Sequence, residues 1–141
     1  MKQKVVLSIR GQQSYVGQEP DVIELVTEGT MEQLDDRWEI RYEETSLTGM
    51  EGVSTCFSVE EDQIVLTRTG KLNSQMVFRE GVPHESLYQM EFGALMLSVT
   101  ASKIESSLSH DGGTVDLTYS IEIEQSSAGL IVYHLELKPQ K

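Results

Sequence analysis

Bulky side chains occupy every second position in a row of short segments between Trp38 and Gly93. The clearest segments are residues 38–44, 53–59 and 63–70, and short polar turns separate them. A two-residue period places the bulky groups on one face of a β-strand, whereas a helix would repeat them every three or four residues. The pattern therefore predicts consecutive strands that each bury one face.

The same alternation precedes this row. Residues 4–10 predict a first strand, and residues 23–34 predict a second. The intervening residues 11–20 are polar and contain Gly17 and Pro20, so they predict a loop.

The alternation also continues after residue 70. Residues 71–74 predict a turn, and Gly81 and Pro83 are expected to end the strand that follows it. Tyr88, Met90 and Phe92 then share one face of a further strand, before a bend at Gly93.

The last part of the chain contains the cleanest alternation. Residues 102–109 fit either a helix or a strand, and their serine content favours the strand. Asp111-Gly112-Gly113 is a hairpin signal that leads into the alternating residues 115–124. Residues 126–129 predict a turn into a final strand over residues 131–137.

About ten short strands with short connections predict an all-β protein, either a sandwich or a barrel. Closing an up-and-down meander hides both edge strands, which favours the barrel. We therefore expect residues 1–141 to form a single domain, an antiparallel up-and-down β-barrel of about eight to ten strands.

Composition excludes several classes of partner. The formal net charge is −12, and the 11 lysines and arginines form no cluster, so we expect no nucleic acid and no anionic membrane as partner. No apolar run approaches the roughly 20 residues of a membrane-spanning helix. The apolar residues 5–7 are too few for a signal peptide, and a single cysteine, Cys56, cannot form an internal disulfide. We expect a cytoplasmic protein, either monomeric or homodimeric.

A set of spaced glycines and aromatic residues occurs in a fixed order along the chain. Its pieces are Tyr42-x-Glu44, Gly49-Met50-Glu51-Gly52, Arg68-x-Gly70, Gln75-Met76-Val77-Phe78, Phe92-Gly93, and Gly112-Gly113 followed by Val115-x-Leu117-x-Tyr119. This set resembles the YwiB-like family of small, uncharacterised bacterial proteins, which are placed with calycin-like barrels. The resemblance covers residues 23–137 and implies a lipocalin-like barrel. It implies no reaction, because the family has no established one.

Polar groups on otherwise apolar faces give the best indication of a site. Arg68 shares its face with Ile64 and Leu66, and Glu44 follows the row of Trp38, Ile40 and Tyr42. A buried charge is costly unless it is paired. Arg68 is therefore expected either to meet an anionic head group or to pair with a carboxylate near the barrel mouth.

Two carboxylates are candidates for that pairing, Glu44 and Glu80, since Glu80 continues the row of Met76 and Phe78. Arg68 at a strand end in water is the third alternative. For a ligand-binding interior we predict five residues: Arg68, Tyr42, Glu44, Tyr88 and Tyr119.

Catalytic and metal-binding residues are not indicated. His84, His110, His134 and Cys56 lack the short spacing of a zinc site, and Cys56 has no neighbour in sequence that would lower its pKa. Adjacent acids such as Glu43 and Glu44 point to opposite faces of a strand and do not form an acid/base pair. We predict no catalytic residue, no metal and no cofactor.

Three classes of function are consistent with these patterns. The first is a non-enzymatic barrel that binds a small apolar or anionic amphipathic molecule in its interior. The second is a structural or protein-interaction module with a barrel filled by side chains, which predicts an exposed apolar patch. The third, an enzyme, is disfavoured because no nucleophile, base or metal cluster can be assembled.

Overall fold

The structure is a computed structural model that describes residues 2–14, 18–45, 51–90, 93–124 and 126–140. These residues form ten β-strands and contain no helix. The strands are β1 (Lys2–Ser14), β2 (Asp21–Gln33), β3 (Trp38–Glu43), β4 (Val53–Val59), β5 (Ile64–Gly70), β6 (Ser74–Phe78), β7 (Pro83–Met90), β8 (Gly93–Ser109), β9 (Gly112–Ile123) and β10 (Ser126–Pro139). The predicted all-β fold is confirmed.

One antiparallel sheet contains all ten strands, in the order β6-β5-β4-β3-β2-β1-β10-β9-β8-β7. Each strand pairs with its neighbours in the chain except across β6 and β7, and β1 also pairs with β10 from Val5 opposite Pro139 to Ser14 opposite Leu130. The two ends of this order, β6 and β7, lie side by side, where Asn73 and Gln89 exchange two backbone hydrogen bonds of 2.9 Å each. The result is a nearly closed up-and-down barrel.

Side chains supplement the backbone pairing along this β6–β7 seam. The hydroxyl of Ser86 donates a hydrogen bond to the carbonyl oxygen of Gln75 over 2.6 Å. The backbone N–H of Val77 donates to Nδ1 of His84 over 3.4 Å. These contacts replace part of a regular β-ladder, so they compensate for backbone groups that neighbouring edge strands would otherwise leave unpaired.

The barrel has two unlike ends. At one end, called here the site end, β1, β3, β5, β7 and β9 finish; at the other, the far end, they begin. The half of the barrel towards the far end is filled by fully buried side chains, which include Leu7, Met31, Ile40, Phe57, Ile64, Leu66, Phe78, Leu117 and Leu135. This packing fixes which residues line the interior at the site end, because inward positions recur every second residue.

Residues 102–109 are part of β8, which confirms the strand prediction. Leu97, Val99 and Ala101 face the interior, but the register then shifts between Ala101 and Lys103. Beyond this bulge Ile104 pairs with the inward-facing Leu117. The extra residue of a β-bulge moves the inward face from odd to even positions.

Three predicted strand limits are wrong. Residues 11–14 belong to β1 rather than to a loop, because residues 11–13 pair with both β2 and β10 and Ser14 pairs with β10. Residues 126–129 belong to β10 rather than to a turn, since the chain reverses at Glu124, which has a φ of 52°. Pro83 begins β7 instead of ending the preceding strand, which stops at Phe78.

Several residues named in the sequence predictions lie outside the described residues, namely Gly17, Gly49, Met50 and Phe92.

Candidate functional site

A row of inward-facing residues crosses five neighbouring strands near the site end. Gly29 of β2 lies opposite Tyr42 of β3, Tyr42 opposite Thr55 of β4, Thr55 opposite Arg68 of β5, and Arg68 opposite Ser74 of β6. The last four are buried. Antiparallel pairing brings directly opposed side chains to within contact distance, so a polar row forms across the apolar wall.

Glu44 follows directly on β3 and points into the barrel above this row. Its backbone N–H donates a hydrogen bond of 2.9 Å to the carbonyl oxygen of Val53, which keeps the inward orientation of β3 for one more pair. The hydroxyls of Thr55 and Tyr42 both donate hydrogen bonds to the Glu44 carboxylate. Two hydroxyl donors thus hold a buried negative charge in place.

Arg68 supplies the opposite charge. Its Nε atom lies 4.0 Å from Oε2 of Glu44, which is a close ion pair but too long for a hydrogen bond. Side-chain exposure is 8% for Arg68 and 1% for Glu44. The hydroxyl of Tyr133 accepts a hydrogen bond from the guanidinium group. The pair is therefore almost wholly removed from water, and its two charges offset each other.

Two buried side-chain polar atoms have no hydrogen-bond partner within the described ranges, Nε of Arg68 and Oγ of Ser74. They belong to residues that lie directly opposite each other on β5 and β6. Leaving a buried donor unpaired costs about 1–3 kcal/mol, so an unsatisfied group of this kind calls for a partner beyond the residues that the structure describes.

The surroundings shift two pKa values. Burial alone would lower the pKa of Arg68, but Tyr133, Tyr119 and Tyr42 raise it above its ordinary value. Burial, followed by the negative charge of Glu44, raises the pKa of Tyr42 well above 10.0. The arginine therefore remains a cation and Tyr42 a neutral hydroxyl at physiological pH.

A cavity of about 380 Å³ opens beside Arg68 at the site end. Most of its wall is apolar, and its polar lining residues are Gln13, Arg68, Tyr88, Tyr119 and Tyr133. The apolar lining residues are Met76, Leu95, Leu97, Ile121, Ile123 and Ile131. A concave apolar wall with few polar groups is typical of a small-molecule site.

A smaller cavity of about 100 Å³ lies on the other side of Arg68 and is also lined by Tyr42 and Glu44. Gln13, Arg68, Ile131 and Tyr133 line both cavities. Arg68 therefore stands where the two spaces meet.

Aromatic rings form the boundary between the cavities and the filled half of the barrel. Tyr119 and Tyr133 stack with ring centroids 6.4 Å apart. Phe78 contacts Tyr119 at 4.5 Å, and Phe57 contacts Tyr133 edge-on at 6.4 Å. These rings close the space below the cavity and set its depth.

The structure brings all five sequence-predicted residues to the same end of the barrel interior. Tyr42 and Glu44 line the smaller cavity, Tyr88 and Tyr119 line the larger one, and Arg68 lines both. Their role as ligand contacts stays a prediction.

Of the two carboxylates proposed as partners of Arg68, the structure pairs it with Glu44 and not with Glu80. β6 ends at Phe78, and the chain then turns, so Glu80 leaves the inward row and is exposed. Its carboxylate instead accepts a hydrogen bond of 3.0 Å from the backbone N–H of Ile104.

Sequence reasoning misses four residues of the site. Gln13 falls in the predicted loop and Ser74 in a predicted turn, while Thr55 and Tyr133 are not among the five residues predicted for the ligand-binding interior. For Thr55 the signal is present, because it shares the inward face of Val53 and Phe57.

Other chemically active side chains do not gather at this end. Among the described residues no three His, Cys, Asp or Glu side chains come together as metal ligands. Cys56 faces the outside of β4 opposite Arg41, but burial outweighs that cation and raises the pKa of the thiol. The neutral thiol form is a poor nucleophile.

These features define a class of protein: a small antiparallel β-barrel that is filled at one end and carries a buried ion pair beside a cavity at the other. The chain belongs to the family described as "Domain of unknown function (DUF1934)", whose profile matches residues 7–137. The part of the chain that the structure describes includes no helix long and apolar enough to cross a membrane.

Two comparisons with a protein of Bacillus subtilis agree with this assignment. The "Uncharacterized beta-barrel protein YwiB" of strain 168 is 27% identical over 71 residues, which is 50% of this chain and about half the length of that relative. The "Crystal structure of ywiB protein from Bacillus subtilis" is similar with a TM-score of 0.89 and 21% identity, covering 99% of this chain and 94% of that chain. The resemblance to the YwiB-like family and the barrel fold are confirmed.

Proposed function

We propose that the site end of this barrel binds one small apolar or amphipathic molecule, and that the protein acts as a binding protein rather than an enzyme. The observation that carries the proposal is the buried Arg68, whose Nε has no hydrogen-bond partner among the described residues and which borders a largely apolar cavity of about 380 Å³. An apolar body in that cavity would remove hydrophobic wall from water, while a polar atom would meet the arginine.

The non-enzymatic part of the proposal rests on what surrounds the cavity. Glu44, the one carboxylate among the described residues that line the two cavities, is engaged by two hydroxyls and by Arg68. A general base needs access to a reacting proton, and this carboxylate has already accepted several partners. We also expect a cytoplasmic location and no nucleic-acid partner, given the lone cysteine and the net charge of −12.

Native mass spectrometry of freshly purified protein, repeated after solvent extraction, tests the proposal. We expect a discrete extra mass that extraction removes. In an Ile121→Trp variant the indole would occupy the cavity, so the extra mass should be missing. Ser120→Trp is the matched control, because the neighbouring Ser120 is exposed on the outside of β9 and the extra mass should persist.

The alternative is a protein-interaction module. It is favoured by one observation, a group of exposed apolar residues on the outer face of β2 and β10 formed by Val22, Leu130 and Val132, with exposures of 46%, 44% and 37%. A bare polypeptide mass in the wild type, before and after extraction, would contradict the binding proposal and favour this module.

A further inference from the structure

The charge of Arg68 is already neutralised within the protein. Glu44 lies 4.0 Å away, and hydroxyls of Thr55 and Tyr42 hold its carboxylate in that position. Both side chains are more than nine-tenths buried. Arg68 borders the larger cavity, and Glu44 lines only the smaller cavity on the other side of Arg68. The two side chains together form a polar pair with no net charge, so Arg68 is not an isolated cation.

Binding of an anionic ligand group beside this pair would be electrostatically unfavourable. The group would approach Arg68 but would also lie near the Glu44 carboxylate, leaving a net negative charge in a site with little water to screen it. The net charge of −12 on the whole chain adds to this repulsion.

The site has hydrogen-bond donors that are unpaired among the described residues, even though its two charges cancel. In the described part of the chain Nε of Arg68 and Oγ of Ser74 lack partners, and these residues face each other across β5 and β6. Nε can only donate, and a serine hydroxyl can donate as well. Arg68, unlike Ser74, lines the larger cavity. A single acceptor oxygen without charge in that cavity would satisfy Nε of Arg68 and leave the Arg68–Glu44 pair intact.

We propose that the ligand's polar group is an uncharged hydrogen-bond acceptor, of the alcohol or carbonyl class, rather than a carboxylate or phosphate. This inference rests on the binding function proposed above. It replaces the anionic head group, which is one of the alternatives from the sequence, with an uncharged polar group. The sequence alone could not show that Glu44 lies beside Arg68.

Three probes with eight carbons each separate the alternatives: octanol, octanamide and octanoate. Each is titrated into solvent-extracted protein at neutral pH, where octanoate is ionised, and binding is followed by isothermal titration calorimetry. We expect octanol and octanamide to bind about tenfold or more tightly than octanoate, which corresponds to about 1.4 kcal/mol.

A Glu44→Gln variant should reverse this order. Removing the carboxylate charge leaves Arg68 as an uncompensated cation, so octanoate should gain affinity relative to octanol. Glu43→Gln is the matched control, because the neighbouring carboxylate is exposed on the outside of the barrel and its loss should leave the order unchanged. Should Glu44→Gln fail to fold, the order of the three probes on the wild type decides by itself.

Tighter binding of octanoate than of octanol by the wild type would overturn this inference while leaving the binding function intact. An unchanged order in a folded Glu44→Gln variant would also overturn it. Failure of all three probes to bind would contradict both the inference and the proposed function.

Discussion

Arg68 and Glu44 form an ion pair inside the barrel, with Nε and Oε2 4.0 Å apart and side-chain exposures of 8% and 1%. The two residues are far apart in sequence, and the register of β3, β4 and β5 brings their side chains together. We expect this pair to affect the stability of the site end and the chemistry of any ligand bound there.

Replacing Arg68 by Met should destabilise the protein by about 3 kcal/mol, because it leaves the Glu44 carboxylate buried without its cation. Adding Glu44→Leu should recover part of that loss, with a coupling free energy of about 1–3 kcal/mol. Urea denaturation of the two single variants and the double variant measures both quantities.

Arg41→Met is the control for this cycle, because the Arg41 side chain is exposed on the outside of β3, where it pairs with the partly buried Glu39. Its effect should stay within about 1 kcal/mol. Additive losses for Arg68 and Glu44 would show that the two charges do not interact in the folded protein.

Gly29→Ala should destabilise the barrel by about 2 kcal/mol. A Cβ atom at this position would lie 2.4 Å from the carbonyl oxygen of Arg41 and 2.5 Å from Cδ1 of Leu7. Gly11→Ala is the comparison, since its Cβ would meet only the ring of Tyr133, at 3.2 Å, among the described residues, and that ring can shift. Thermal unfolding of both variants tests the difference, and equal melting temperatures would contradict the close packing at Gly29.

Ser86→Ala should loosen the β6–β7 seam. It removes the 2.6 Å hydrogen bond to the Gln75 carbonyl and should cost about 1–2 kcal/mol. Hydrogen exchange should accelerate mainly in β6 and β7. Ser120→Ala removes a weaker 3.5 Å bond to the Thr100 carbonyl inside the regular β8–β9 ladder, and should change little. Hydrogen exchange that accelerates equally in all strands would contradict a local role of the Ser86 hydrogen bond at the seam.

Stability should fall as the pH rises through the titration of His134. Hydrogen bonds to the carboxylates of Asp116 and Glu136 raise the pKa of His134 above 6.5. A raised pKa in the folded state means that protonation stabilises the fold below 6.5, and that this contribution is lost as the pH rises through the folded-state pKa. Asp116→Asn should weaken the pH dependence.

The measurement is the free energy of unfolding at about pH 6 and about pH 9 for the wild type and for His134→Gln. The wild type should lose more stability than the variant over this interval. A parallel loss in both proteins would assign the pH dependence to other groups.

Much of the barrel can be predicted from residue alternation. The inward rows of β4, β5 and β9 follow a strict two-residue period, so parity alone assigns Phe57, Leu66 and Leu117 to the correct face. The same parity argument places Arg68 and Glu44 in the interior.

Alternation fails where local geometry changes. The bulge after Ala101 changes which residues of β8 face the interior, and no residue type in that segment predicts the bulge. Gln13 is polar and follows Gly11, yet it belongs to β1 because it pairs with Asp21 of β2 and Ile131 of β10. Glu80 has the correct parity but follows the end of β6. Each of these outcomes depends on a contact with another strand, which the local sequence does not encode.

The most direct test of the central claim is a fluorescence titration of the solvent-extracted protein with Nile red, an uncharged apolar dye. The account predicts saturable binding of one dye per chain, lost in Ile121→Trp and retained in Ser120→Trp. Equal dye binding by wild type and Ile121→Trp, or no saturable binding by a folded wild type, would contradict a ligand site at this end of the barrel.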